Sequence, residues 1–330
     1  MIQEIAKNIY TFNVSLPNTA LKQLNVYVIK GEDRNVIFDT GYNLPESKTD
    51  LLQGIKELGL EVKDFDLVLT HLHSDHTGLA SLFEEAGCNI YAGKIDGDLL
   101  NQMATESYWD HFSDRHAYYA TEKGQFSRED NPGYALRLGR KLDYIELKIG
   151  ELFQVGEYTF KVMDLKGHTP GHIGLYDAEN GQIFSADTVL DPITPNITYW
   201  GEDYPNILGS YLDTLRSLIP LDLKVMYATH RKIIDNPRQR MEDLIQHHYE
   251  RLQEILDAMN PEESYTVEDV SAKITWRVKV KSWSDFPKSQ KFFATGETMS
   301  HLDYLVHSGH VEQRMEDETY YFTKVKDQLF

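Results

Sequence analysis

Apolar positions in the first half of the chain fall into short runs that close on a Gly-, Asp- or His-containing turn. NVYVIKGEDRNVIFDTG reads as two strands joined by a polar turn at 30–35, the second ending at Asp39. Helical spacing at Leu51, Leu52, Ile55 and Leu58 predicts a helix over 44–60, and DLVLT after it reads as a buried strand. Further strands are expected at 89–92, 158–165, 181–185 and 223–228. Strands that alternate with helices predict a layered α/β domain.

Between Asp96 and Arg140 the pattern gives way to aromatic and charged residues with little strand signal, which reads as a helical insertion of about 96–140. Such an insertion is either a packed surface pair or a wall of the binding pocket. From Met241 the composition shifts again. MEDLIQHHYERLQEILDAM reads as a helix stopped by Asn260 and Pro261. Helices at 267–276 and 295–307 follow, then a hairpin of VEQRM and TYYFTKV. That order is the order of a winged-helix-like α+β module, giving two expected domains, 1–240 and 241–330.

Composition narrows the function. The 330 residues hold 33 Lys plus Arg against 52 Asp plus Glu, a net charge of -19 that disfavours nucleic acid as a partner. Within 241–330 the counts are 10 and 17, a net of -7. A packing or dimerising role, with a homodimer as the partner, fits that segment better than DNA binding. The positive run of Lys273, Arg277, Lys279 and Lys281 is a local exception. Cys88 is the only cysteine, which excludes an intrachain disulfide and suits a cytoplasmic protein. No segment reaches the ~20 apolar residues needed to span a bilayer.

The chemistry concentrates in THLHSDHTG, residues 70–78. At a strand end, side chains two apart share a face, so His71 and His73 can meet one ion while Asp75 and His76, past the bend, meet another. Three further ligand types follow apolar strand runs: His168 after KVMDLKG, Asp187 after QIFSA, and His230 after LKVMYAT. Strands releasing these groups at one rim would surround two metal ions. His71, His73 and His168 would face one ion, Asp75, His76 and His230 the other, with Asp187 between them.

These residues in this order resemble the signature of the metallo-β-lactamase superfamily: HxHxDH, a distant His, a bridging Asp and a last His. The form HTPGH at 168–172 is similar to that of glyoxalase II, lactonase and lactamase-B2-like branches. The resemblance covers roughly residues 1–240 and implies an αββα sandwich with the metals at one rim. It also implies a hydrolase in which two divalent ions, zinc or else iron or manganese, acidify a shared water that attacks an ester, thioester or lactone. Asp75 and Asp187 would then be the catalytic carboxylates. His73 is intact where redox diiron members usually carry a carboxylate, and Leu79 departs from the HxHxDHxGG form common in glyoxalase II.

Asp39 is expected either to fix a ligand imidazole or to cap its turn, and His172 to support the site by hydrogen bonding. Tyr199, Trp200, Trp109 and His111 are candidate walls for a small-molecule substrate. His116, His247, His248, His301, His307 and His310 fit no ligand pattern and read as surface or partly buried residues, and Cys88 as core filling. A phosphodiesterase or endoribonuclease built on the same centre and a winged-helix regulator of nucleic acid are the competing functions.

Overall fold

The computed structural model describes residues 2–110, 127–278, 280 and 282–329. Two sheets dominate it. The first has seven strands in sequence order: β1 (Gln3–Ala6), β2 (Ile9–Leu16), β3 (Lys22–Ile29), β4 (Asn35–Phe38), β5 (Phe65–Leu69), β6 (Ile90–Ala92) and β7 (Ile145–Glu146). The second runs β12-β11-β10-β9-β8, from β8 (Leu152–Val155), β9 (Tyr158–Asp164), β10 (Ile173–Asp177), β11 (Gln182–Ala186) and β12 (Val225–Ala228).

Strand alternation sorts the core into three layers. Tyr27, Ile29, Phe38 and Val68 on the first sheet meet Phe160, Val162, Phe184 and Tyr227 on the second, with Phe38 and Phe184 stacked at 4.2 Å. Their neighbours Val26, Val28, Ile37, Leu67 and Leu69 point the other way. They bury helices α1 (Pro45–Glu57), α3 (Ala80–Glu85) and α4 (Lys94–Met103) through Leu51, Ile55, Phe83, Leu99 and Leu100. On the far face of the second sheet, Ile183 and Met226 pack on α7 (Ile207–Leu218), α8 (Pro237–Ala258) and α10 (Lys288–His307). This helix–sheet–sheet–helix order is the expected sandwich. The four-residue helix α2 (Ser74–Thr77) lies between β5 and α3, and α5 (Glu106–Trp109) and α6 (Pro132–Ala135) follow α4.

After α8 come β13 (Ser264–Tyr265), α9 (Val267–Ser271), α10 and the hairpin β14 (Val311–Glu316) and β15 (Thr319–Lys324), in a sheet ordered β13-β15-β14. Helix α9 stops at Ser271, five residues before the expected end. The indole N–H of Trp276 donates to the Ser271 carbonyl at 2.8 Å, and the Thr275 amide is taken by Glu254 at 2.6 Å, so these side chains turn the backbone out of the helix. Met299, Leu302 and Phe322 share one core with α7 and α8. No helix among the described residues is long and apolar enough to cross a membrane.

Strand direction positions the site. β4, β5 and β6 are parallel, and so are β11 and β12; β9 is antiparallel to β10, which is antiparallel to β11. The carboxyl ends of β4, β5, β9, β11 and β12 therefore open on one rim. Cross-sheet bonds close that rim, from the Asn25 amide to the Thr229 carbonyl at 2.6 Å and from the Ile173 amide to the Thr70 carbonyl at 3.0 Å.

Candidate metal centre

All seven expected ligands converge there, supplied by four separate loops. His73 Nδ1 lies 3.2 Å from His71 Nε2 and 3.0 Å from His168 Nε2. On the other side, His230 Nε2 lies 3.4 Å from Asp75, and His76 Nε2 lies 3.8 Å from it. Asp187 Oδ2 sits between the groups, 3.6 Å from His76, 3.6 Å from His168 and 3.5 Å from His230. Three sets can hold a cation by proximity: His71–His73–His168, His71–His76–Asp187 and Asp75–His76–His230.

Local backbone explains how Asp187 reaches the rim. The β11–β12 register slips between Phe184 and Ala186, and Ala186 takes a left-handed φ of 43°. Such a bulge re-aims the next side chain, here away from the sheet and over the strand ends. Asp39 also has a left-handed φ, 59°, which lets its carboxylate turn back under the site.

The far nitrogen of most ligand imidazoles has its own acceptor or donor. Asp39 Oδ2 takes His76 Nδ1 at 2.8 Å and the Thr70 hydroxyl at 2.8 Å, and that hydroxyl lies 3.0 Å from His71 Nδ1. His168 Nδ1 bonds the Asn196 carbonyl at 2.8 Å, and His230 Nδ1 the Gln23 carbonyl at 3.1 Å. These bonds turn the opposite nitrogens inward. The Thr229 hydroxyl donates to Asp187. His172 stacks on His71 at 4.7 Å, with the Thr188 hydroxyl 3.4 Å from its Nδ1.

The donor set fits metal ions. His76 Nε2 and His230 Nε2 are buried and have no hydrogen-bond partner among the described residues, a costly state for a polar atom that a cation would relieve. Burial and the neighbouring imidazoles hold His71 well below the ordinary histidine range, and burial with the charge of His168 lowers His73 to about 3. Both are thereby kept as neutral donors. Histidine and carboxylate together are the ligand types of open zinc sites.

Among the candidate walls, Trp200 lies beside the His73 ring at 6.2 Å. Tyr199 packs the other way, on the core shared with the C-terminal elements. Trp109 is buried with Leu99, Leu100 and Met103, its indole N–H on the Met103 carbonyl at 2.7 Å. His111 and His116 lie outside the described residues. His248 and His301, expected at the surface or partly buried, are fully buried.

Two residues that strand-end reasoning passes over stand close to the centre. Tyr42 is buried on the turn after β4, and burial with the nearby Asp75 and Asp187 charges keeps its phenol protonated. Asp96 is buried on α4 and clamps two ligand loops. It accepts the Leu72 amide at 3.0 Å, between His71 and His73, and the Thr169 hydroxyl and Gly171 amide at 2.6 Å each, beyond His168. Gly171 is required there, since a Cβ would stand 2.4 Å from the Asp96 nitrogen. The signal was present in KIDGDLLNQM: a carboxylate at 96 on the stripe of Leu99, Leu100 and Met103. Asp96→Ala strands two buried amides, so urea unfolding of the metal-free variant is expected to show a loss of about 3 kcal/mol. An unchanged midpoint would remove the clamp.

Residues 20–230 match the model of the metallo-beta-lactamase superfamily. The chain belongs to that superfamily. A metallo-beta-lactamase family protein from Thermus thermophilus superposes with a TM-score of 0.82 at 26% identity, over 98% of this chain and 100% of that one. A hydroxyacylglutathione hydrolase of Haemophilus influenzae is 28% identical across 59% of this chain and 80% of its own length. An acyl-coenzyme A thioesterase of Gallus gallus is 27% identical across 51% of this chain and 58% of its own length. These two superfamily relatives are named as hydrolases, and the His/Asp clusters of this chain lie within the matched segment.

Proposed function

We propose that this superfamily member is a dinuclear, zinc-dependent hydrolase of a small acyl substrate, with a thioester favoured over an ester or lactone. The observation that carries the reading is Asp187 Oδ2 standing 3.5–3.6 Å from three imidazole nitrogens that belong to both ligand groups. Zinc suits the histidine-rich donor set. The chemistry such ions supply is acidification of water and polarisation of a carbonyl.

The chain's own contribution is arrangement. His71, His73 and His168 present neutral nitrogens to one position, Asp75, His76 and His230 present a carboxylate and two imidazoles to the other, and Asp187 spans them. Trp200 lies beside His73 and offers an apolar plane that suits an acyl group. The glutathione and coenzyme A substrates in the two relatives' names support a thioester. In this reading residues 1–240 form the catalytic unit. The C-terminal elements, in winged-helix order, pack against it through Met299, Leu302 and Phe322, and their net charge of -7 opposes phosphate binding.

Protein stripped with a chelator and reloaded with zinc is expected to turn over acyl thioesters faster than nitrophenyl acetate or homoserine lactones, and to leave bis-nitrophenyl phosphate intact. Turnover confined to the phosphodiester would overturn the acyl reading.

A further inference from the structure

The stretch between Asp187 and α7 carries Asn196 below His168 and Trp200 beside His73. Residues 195–200 contain no helix or strand. Their polar groups must be satisfied elsewhere, and α10 supplies much of what holds them. The Tyr199 amide donates to the Gly296 carbonyl at 3.1 Å, and Ser300 donates its hydroxyl to the Ile197 carbonyl. The Asn196 side-chain amide donates to Glu297 at 3.1 Å and lies 3.4 Å from the Phe293 carbonyl. Further on, Asp303 accepts the Asn206 amide at 2.7 Å.

Positions 293, 296, 297, 300 and 303 are spaced as one face of a helix. Gly296 sits at the closest approach, where a Cβ would stand 2.3 Å from the Thr198 hydroxyl oxygen. A helix that only filled space would present apolar side chains there. This face instead spends an acid, a hydroxyl and a bare backbone on one loop, and burial pushes the Glu297 carboxyl up to about 7 against the pull of the Arg251 charge and the Asn196 amide.

We propose that α10 is a working part of the metal centre: through Glu297 and Gly296 it fixes the Asn196 peptide whose carbonyl receives His168 Nδ1, and so orients the imidazole that completes the His71–His73 group. Glu297 and Asn196 are positioning residues; neither touches the reacting atoms. The proposal rests on His168 holding an ion, as in the reading above, and gives the C-terminal segment a function in place of mere packing.

Two measurements test it on the full-length chain, one of them independent of metal. In metal-free protein labelled with ¹⁵N-histidine, the His168 ring is expected as the Nδ1–H tautomer, and Glu297→Leu is expected to mix the two tautomers, with Glu297→Gln restoring one. In protein titrated with cobalt(II), Glu297→Leu is expected to weaken one of two bound ions about tenfold and to change its visible spectrum, again with rescue by Glu297→Gln. Asn196→Ala, which leaves the core intact, is expected to reproduce both effects and serves if Glu297→Leu fails to fold. Wild-type tautomer, affinity and spectrum in Glu297→Leu or Asn196→Ala would overturn the proposal. Failure of the wild type to bind any divalent ion would instead overturn the hydrolase reading, while the tautomer measurement still reports on the link from α10 to His168.

Discussion

Asp187→Ala is expected to lower turnover by about a thousandfold or more, equivalent to roughly 4 kcal/mol of lost transition-state stabilisation, while the far-UV circular dichroism stays that of the wild type. The size follows from what the carboxylate touches. One oxygen is shared among the Nε2 atoms of His76, His168 and His230, and the other receives the Thr229 hydroxyl. Burial works against its ionisation, yet the nearby charges of His230, His76 and His168 hold it well below the usual carboxylate range. It is therefore a fixed anion between the two ligand groups, and no other carboxylate among the described residues spans both.

Alanine removes that anion and nothing from the core. Ile183 and Phe184 keep their places on either face of β11, and the ladder to β10 ends at Phe184 before the changed residue is reached. Native mass spectrometry is expected to show a lowered metal stoichiometry in parallel with the lost activity. An Asp187→Ala protein that turns over substrate at the wild-type rate would remove the bridging role, and with it the observation on which the hydrolase reading stands.

Much of this centre was legible because its information is local. A polar ligand type that directly follows a buried strand must emerge at that strand's carboxyl end, and the strands at 65–69, 182–186 and 225–228 carry strong apolar runs. The β3–β4 hairpin and α1 were legible for the same reason, each having its period written over consecutive residues. What was not legible acts across the chain. β8 and β10 become strands through pairing with β9, and α7, apolar on most sides, lacks a clean stripe until sheet and helices cover it. Asp96 meets Thr169 from 73 residues away, and Asn196 meets Glu297 from 101. Neither pairing has a local period. Each leaves a trace only as a polar residue on a buried helical face. The burial of Trp109 was not legible, because an aromatic residue in an insertion reads the same whether it lines a pocket or fills a core.

The buried histidines of the C-terminal core should make the protein acid-sensitive in a way that is separable from the metal centre. His301 Nδ1 lies 2.7 Å from the Glu297 carbonyl, which can only accept, so that nitrogen carries the proton and His301 Nε2 is a bare acceptor. His248 Nδ1 stands 3.0 Å from it and must donate, which leaves His248 Nε2 unprotonated, buried and without a hydrogen-bond partner among the described residues. Both rings are thus held neutral. Burial lowers His301 to about 3, helped by the charges of Arg251 and His247, and holds His248 well below the histidine range, where the neighbouring His301 and His247 add to the effect.

A histidine whose folded pKa lies below its unfolded value of roughly 6.5 binds fewer protons folded than unfolded, so its contribution is intact above pH 6.5 and is lost as the pH falls toward 3. Each such group costs about 1.4 kcal/mol per pH unit in that window. His71 and His73 act with the same sign in metal-free protein, so the comparison must be between variants. His248→Phe/His301→Phe exchanges the pair for rings of similar size and is expected to change stability little at pH 7.5. At pH 5.0 it should retain roughly 2 kcal/mol or more that the wild type loses. Urea unfolding at the two pH values, with chelator present throughout, measures the difference directly. Parallel losses in the two proteins would mean that the acid sensitivity arises elsewhere, and that water or a rearranged partner already reaches His248 Nε2.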